Sequence, residues 1–170
     1  MRRTPLEGLW LRPLAPDDRP DLEVLSHEAF SDWAQQPARS VVAMAAAAEY
    51  TVVAVLDGTM AGFALGRRVE GPRRFGPWEH PHVQHIDAIA VTPRLRRRGV
   101  GSALLMHVIK LAKSDGARGL FAMTAANNRA ARALFEGAEF DYLAGIRSAY
   151  REGEPAVLLT KYLRQHSKRT

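Results

Sequence analysis

The sequence predicts a mixed α/β (α+β) fold, one sheet of six to seven strands flanked by about four helices. Three observations carry this. Asp57-Gly58 is a strong hairpin turn between two strand-like runs, Tyr50 to Leu56 and Met60 to Val69. The apolar run Val83 to Val91 is followed by a stretch from Gly99 to Ser114 with Val100, Ala103, Leu104, Val108 and Leu111 at helical spacing. The same order then repeats, as a strand Leu120 to Thr124 and a helix Asn128 to Gly137.

The other elements fall around these. Leu9 to Leu14 reads as a short opening strand, and Asp17 and Asp18 are placed to cap a helix running to about Phe30. Pro37 precedes a second helical stretch, Ser40 to Glu49, rich in alanine. Gly71 to Pro81 reads as a loop, broken by Pro72, Gly76 and Pro77. In the helix 128–137, Ala131, Leu134 and Phe135 form the inner side, and Phe140 to Ala144 and Ala156 to Tyr162 close the sheet. With no repeat, linker or low-complexity tract, residues 1–170 read as a single domain.

Composition narrows the function. Of 170 residues, 46% are apolar and 25% charged, enough for a buried core. No apolar run reaches the roughly 18 residues of a membrane span, and the N-terminus lacks the pattern of a secretory signal, so a cytoplasmic protein with no membrane partner is expected. Without cysteine there is no disulfide, thiolate metal site or cysteine nucleophile. The net charge of +6 is uneven: residues 1–90 hold 9 basic against 12 acidic side chains, residues 91–170 hold 15 against 6. Its densest point is Arg94, Arg96, Arg97 and Arg98, which calls for an anion. Nucleic acid is not the expected one, because no aromatic residues are interleaved with the basic run.

The loop itself suggests the anion. Gly99 and Gly101 at a helix start let the backbone turn tightly and leave amides unshielded, and those first amides have no acceptor within the helix. A pyrophosphate suits that positive helix end, with the arginines at its rim. Position 104 is Leu, which breaks a Gly-x-Gly-x-x-Gly dinucleotide fingerprint, and Gly-Lys-Ser/Thr is absent.

What does match is Arg-x-x-Gly-x-Gly, as Arg96-Arg97-Arg98-Gly99-Val100-Gly101 after a strand ending Ala90-Val91-Thr92-Pro93. Further on, Asn128-Arg129-Ala130-Ala131-Arg132-Ala133-Leu134-Phe135-Glu136 is similar to Asn-x-x-Ala-x-x-Leu-Tyr-Glu. Together these resemble the GNAT superfamily of acyl-CoA N-acyltransferases over about residues 50–145. Glu139 before Phe140 departs from the glycine usual there. The resemblance implies a twisted, mostly antiparallel mixed sheet, acetyl-CoA as cosubstrate, and direct attack of an amine on its thioester.

It also implies roles by position. The amides of Arg96, Arg97, Arg98, Gly99, Val100, Gly101 and Ser102 would hold the pyrophosphate. The backbone of Ile89, Ala90 and Val91 would lie along the pantetheine arm, with Val91 N–H a candidate oxyanion donor. Asn128 and Phe135 would border the cofactor. The family often has a tyrosine acid where Phe135 stands, and a phenyl ring has no proton to give. Tyr142 or Tyr150 could take that part, or the thiolate could leave unassisted.

For the base, period-two alternation places His85, Asp87, Ile89 and Val91 on one face of strand 83–91, with Ile86, Ala88 and Ala90 on the other. A His poised by a carboxylate is a suitable general base, acting through water; the pair could also only bind loops. The segment His85 to Val91 is similar to the strand of serotonin N-acetyltransferase-type enzymes. His80, His82 and Glu79 would shape the amine pocket or, with His85, form a metal site, although no metal is expected. Phe75, Trp78 and Glu79 offer an aromatic wall and a carboxylate, which favours a small or aromatic amine over a protein N-terminus or lysine. The alternative is a non-catalytic acyl-CoA sensor. A homodimer could form through strand Ala156–Tyr162.

Overall fold

The computed structural model describes residues 6–30, 38–79, 81–147, 149 and 153–163. Two strands, β1 (Trp10–Pro13) and β2 (Tyr50–Leu56), flank α1 (Arg19–Phe30) and α2 (Ala38–Ala47) in the chain. The hairpin partner β3 (Thr59–Glu70) is followed by two short strands, β4 (Arg74–Phe75) and β5 (Trp78–Glu79), and then by β6 (His82–Val91). The second half runs α3 (Val100–Ser114), β7 (Gly119–Ala125), α4 (Arg129–Gly137), β8 (Asp141–Ile146) and β9 (Ala156–Tyr162). The main sheet has seven strands in the order β1-β2-β3-β6-β7-β9-β8. Every neighbouring pair is antiparallel except β6 and β7, which are parallel and joined through α3. The fold expected from the sequence is the one observed.

Both faces are covered. On one, Ile86, Leu104, Leu105, Val108, Phe135 and Leu159 form the core beneath α3 and α4. On the other, Phe63, Leu65, Ala88 and Ala90 pack against Leu22, Leu25 and Val41 of α1 and α2. The inner stripe of α3 is Val100, Leu104, Leu105, Val108, Ile109 and Ala112; Ala103 and Leu111 lie at its margin.

Three details differ from the sequence expectation. Asp18 lies in a short 3-10 turn (Pro16–Asp18) ahead of α1, where its carboxylate accepts from the Ala15 amide at 2.7 Å and from both terminal nitrogens of Arg12 at 2.5 and 2.7 Å. It ties β1 to α1. The segment 71–81 contains the hairpin β4–β5, whose Phe75 is 4% exposed and stacks on Tyr162, with ring centres 4.3 Å apart. Finally, β9 lies between β7 and β8, so both its edges are paired and it has no free edge for a second copy of the chain. Among the described residues the outermost strands of the sheet are β1 and β8.

Candidate active site

The site begins where two parallel strands part. β6 and β7 are in register only at Gln84–Leu120, His85–Phe121 and Ile86–Ala122. Beyond that row β6 runs on to Val91 and β7 to Ala125, each paired on its outer side alone. The Thr92 amide donates to the Ala61 carbonyl on β3 at 2.9 Å. Alternation along the strand therefore turns the Val91 and Ile89 amides the other way, into the gap. Ala90 differs: its carbonyl faces β3 close to Gly62, and its side chain is buried under α1 and α2.

At the wide end of the gap sits the arginine loop. Leu95, 1% exposed, anchors a 3-10 turn, Pro93–Leu95. Arg97 then has φ 61° and Gly99 φ 94°, both left-handed, and Gly99 is the N-cap of α3. Glycine bears that conformation without strain, and no side chain caps the helix, so its first amides are left for an outside acceptor. The first intrahelical bond is Ala103 N–H to Gly99 O at 2.9 Å. A methyl on Gly101 would stand 3.5 Å from Leu134 of α4 and 3.6 Å from Val91, so Gly101 keeps open the space between β6 and α4. Arg96 reaches back along the mouth, its Nε donating to the Val91 carbonyl at 3.2 Å. Arg94, Arg97 and Arg98 are exposed and form no ion pair among the described residues. Successive outward amides at a helix start, ringed by guanidinium groups, fit a pyrophosphate.

Across the gap, Asn128 caps α4, its Oδ1 accepting from the Ala131 amide at 3.1 Å. Phe135 is 5% exposed and packs edge-on to Phe140 in the core. The α4 side chain that reaches Gly101 is its neighbour Leu134.

His85 and Asp87 do come together, on the opposite face from Ile89 and Val91. Leu65 pairs with Ala88 but Gly66 with Ile86, so Asp87 is the extra residue of a β-bulge. The bulge resets the alternation. Ile86 joins Ile89 and Val91 beneath α3, and His85 points with its register partners Arg67 and Phe121 to the α1–α2 face. There His85 Nδ1 lies 2.9 Å from Asp87 Oδ1, and Arg67 Nε donates to the same oxygen at 3.2 Å. A carboxylate only accepts, so Nδ1 carries the hydrogen, and in the neutral ring Nε2 is the nitrogen with the lone pair. The group stands in a seam. On one side is the cluster of Phe75, Val83 and Phe121 under the β4–β5 hairpin, on the other Leu65, Ala88 and Ala90 under α1 and α2.

Two residues here went unread in the sequence. Arg67 is 18 positions from His85 along the chain, and nothing local marks it. Tyr50 lies across Gly66, where a methyl would overlap its hydroxyl and the His85 carbonyl, and so packs beside the bulge. Burial, with Asp87 and Glu49 nearby, pushes the Tyr50 phenol above the usual tyrosine range.

Other expected residues lie elsewhere. Tyr142 is 62% exposed and in register with Leu159, Ala122 and Ile86, on the α3–α4 face, with two strands between it and β6. It is not brought to the His85 pair. Phe75 and Trp78 are packed in the hairpin, Trp78 with the Arg118 guanidinium 5.5 Å from its ring centre, and they make no open aromatic wall. His82 Nε2 is 3.0 Å from Asp115 at the end of α3. Among the described residues no three His, Asp or Glu side chains could hold a metal. His80 and Tyr150 lie outside the described residues. Among those described, no helix is long and apolar enough to cross a membrane.

Known proteins share this fold. An N-alpha-acetyltransferase from Saccharolobus solfataricus is 26% identical over 121 residues, covering 65% of this chain and 68% of that protein. Arabidopsis thaliana NAA60, solved in complex with acetyl-CoA, superposes with a TM-score of 0.78 at 19% identity, covering 91% of this chain and 99% of that one. A ribosomal-protein alanine N-acetyltransferase from Escherichia coli superposes with a TM-score of 0.75 at 22% identity, covering 95% and 98%. The Acetyltransferase (GNAT) family matches residues 10–140, and the chain belongs to that family.

Proposed function

We propose that this chain transfers the acetyl group of acetyl-CoA to the α-amino group of a peptide or protein. One observation carries the cosubstrate: the gap between β6 and β7 leads straight to the uncapped start of α3. The amides from Arg96 to Ser102 hold the pyrophosphate, with Arg97 and Arg98 at its rim. Asn128, with Oδ1 engaged in the cap, offers its amide hydrogens to the pantetheine arm. Bound acetyl-CoA supplies an acyl group already activated as a thioester. The Ile89 and Val91 amides face the charge that develops on its carbonyl oxygen. Ile89 is the nearer of the two to His85 along β6.

On the other face, His85 Nε2 takes the proton of the incoming ammonium, through water. Asp87 fixes the ring and the tautomer. The amine nitrogen then bonds to the acyl carbon as the carbon–sulfur bond breaks; the thiolate leaves with its electron pair, and the second proton of the amine passes to solvent water. Phe135 has no proton for it and Tyr142 faces the other way, so the thiolate leaves without an assigned acid. The acceptor reading replaces a small aromatic amine because Phe75 and Trp78 are committed to packing, and because two of the relatives are named as an N-alpha-acetyltransferase and a ribosomal-protein alanine N-acetyltransferase.

The missing acid also favours a second reading, a sensor that binds acyl-CoA without turnover. Thiol release from acetyl-CoA with a panel of peptides and small amines, alongside calorimetric binding, separates the two. Turnover of peptides that is lost in His85→Ala is expected. Binding without turnover of any acceptor would favour the sensor, and no binding would overturn both.

A further inference from the structure

The seam around His85 also carries a charge that the transfer reaction does not use. Asp87 is almost fully covered, and its one negative charge is answered twice, by His85 Nδ1 and by Arg67 Nε. Arg67 commits only Nε to this. Its two terminal nitrogens have no partner among the described residues, and its side chain is 56% exposed. With His85 neutral, Arg67 and Asp87 balance in charge, and what the pair leaves over is the outward fork of guanidinium donors.

We propose that Arg67 reads a carboxylate on the acceptor, so that the preferred acceptor is a peptide whose first residue is Asp or Glu. This rests on the acetyltransferase reading above and names its substrate class. The geometry supports it. His85 Nδ1 and Arg67 Nε share Asp87 Oδ1, so the two nitrogens are no more than about 6 Å apart. An amine delivered to His85 thus brings the side chain of its own residue within reach of the guanidinium. The two terminal nitrogens form the planar fork that matches a carboxylate. The Nε bond to Asp87 holds that fork in place beforehand, which lowers the entropy lost on binding. A lysine side chain offers those donors no acceptor and would gain nothing from them.

The test uses two peptides differing only in a first residue of Glu or Gln, plus free glutamate, with wild type, Arg67→Met and Arg67→Lys. Initial rates give kcat/KM, and calorimetry gives the affinity of each peptide for the CoA-loaded protein. Wild type should prefer the Glu peptide about tenfold, chiefly through KM, as one exposed charge-assisted bond allows. The ratio should fall to near one in Arg67→Met and recover in part in Arg67→Lys, with CoA affinity and thermal unfolding as folding controls. A wild type without preference, a preference that survives Arg67→Met, or equal losses for both peptides would overturn the proposal. Free glutamate accepted as well as the Glu peptide would overturn the peptide half of it. If no peptide turns over while acetyl-CoA binds, the acetyltransferase reading falls, and the calorimetric Glu-to-Gln ratio still decides the role of Arg67.

Discussion

A carboxylate as covered as Asp87 is costly unless it is paired, and its two partners on one oxygen meet that cost. The same bonds leave His85 Nε2 as the free basic nitrogen. His85→Ala should therefore lower kcat by about 10²- to 10⁴-fold while leaving the affinity for acetyl-CoA near its wild-type value, because the gap amides face away from the pair. Steady-state rates and calorimetry check both halves; a matching loss of CoA affinity would place His85 in the cofactor channel instead. Tyr50 gives a prediction about stability. Burial holds its phenol above the usual range, so the folded state keeps a proton that the unfolded chain releases near pH 10. That contribution is complete below pH 10 and is lost as pH rises toward the higher folded value. Urea melts between pH 8 and 11 should fall more steeply for wild type than for Tyr50→Phe; parallel curves would refute this. His85 and Asp87 were legible in the sequence because charged residues within an apolar strand stand out. Arg67 was not, because only the β3–β6 register brings it there.

Among the elements, the arginine loop and α3 were the most readable, and their glycines separate two functions. Gly99 holds φ 94°, so Gly99→Ala forces a left-handed alanine and should cost about 1–2 kcal/mol of stability as well as binding. Gly101 lies within the helix with ordinary contact room for a methyl, where Ala is intrinsically favoured over Gly by up to about 1 kcal/mol. Gly101→Ala should thus melt at or above the wild-type temperature yet bind CoA roughly tenfold more weakly, since the methyl enters the space between Val91 and Leu134. Thermal melts and calorimetry on both variants decide it. A Gly101→Ala protein that binds CoA normally would move the cofactor path away from that space. β6 was less readable. A strict period of two assigns Ile86 to the wrong face, because the bulge at Asp87 inserts one residue that no sequence signal marks. The β4–β5 hairpin was missed because two-residue strands carry no periodicity, and its aromatic residues read as an open wall when they are a packed cluster.

For the molecule as a whole, the order of strands and helices was legible, but the order of strands within the sheet was not. The final strand lies inside, between β7 and β8, while the first strand, β1, forms one edge. An edge strand of four residues paired only to β2 needs a second anchor. The anchor is the Arg12–Asp18 pair, which joins β1 to the turn before α1 and so links the edge of the sheet to the helices that cover it. The Arg12 hydrogen bond and the Ala15 amide hold the Asp18 carboxyl below its ordinary value of 3.8, against the opposing effect of burial. A lowered folded value means that the unfolded chain binds the proton first as pH drops. The contribution of Asp18 is thus complete above its ordinary value and disappears as pH falls through the lowered one. Urea melts from pH 7 down to 2.5 should show wild type losing stability toward acid more steeply than Asp18→Asn, with the gap between them closing at low pH. If the two curves stay parallel, the pair does not couple the sheet edge to the fold, and β1 must be held by its bonds to β2 alone.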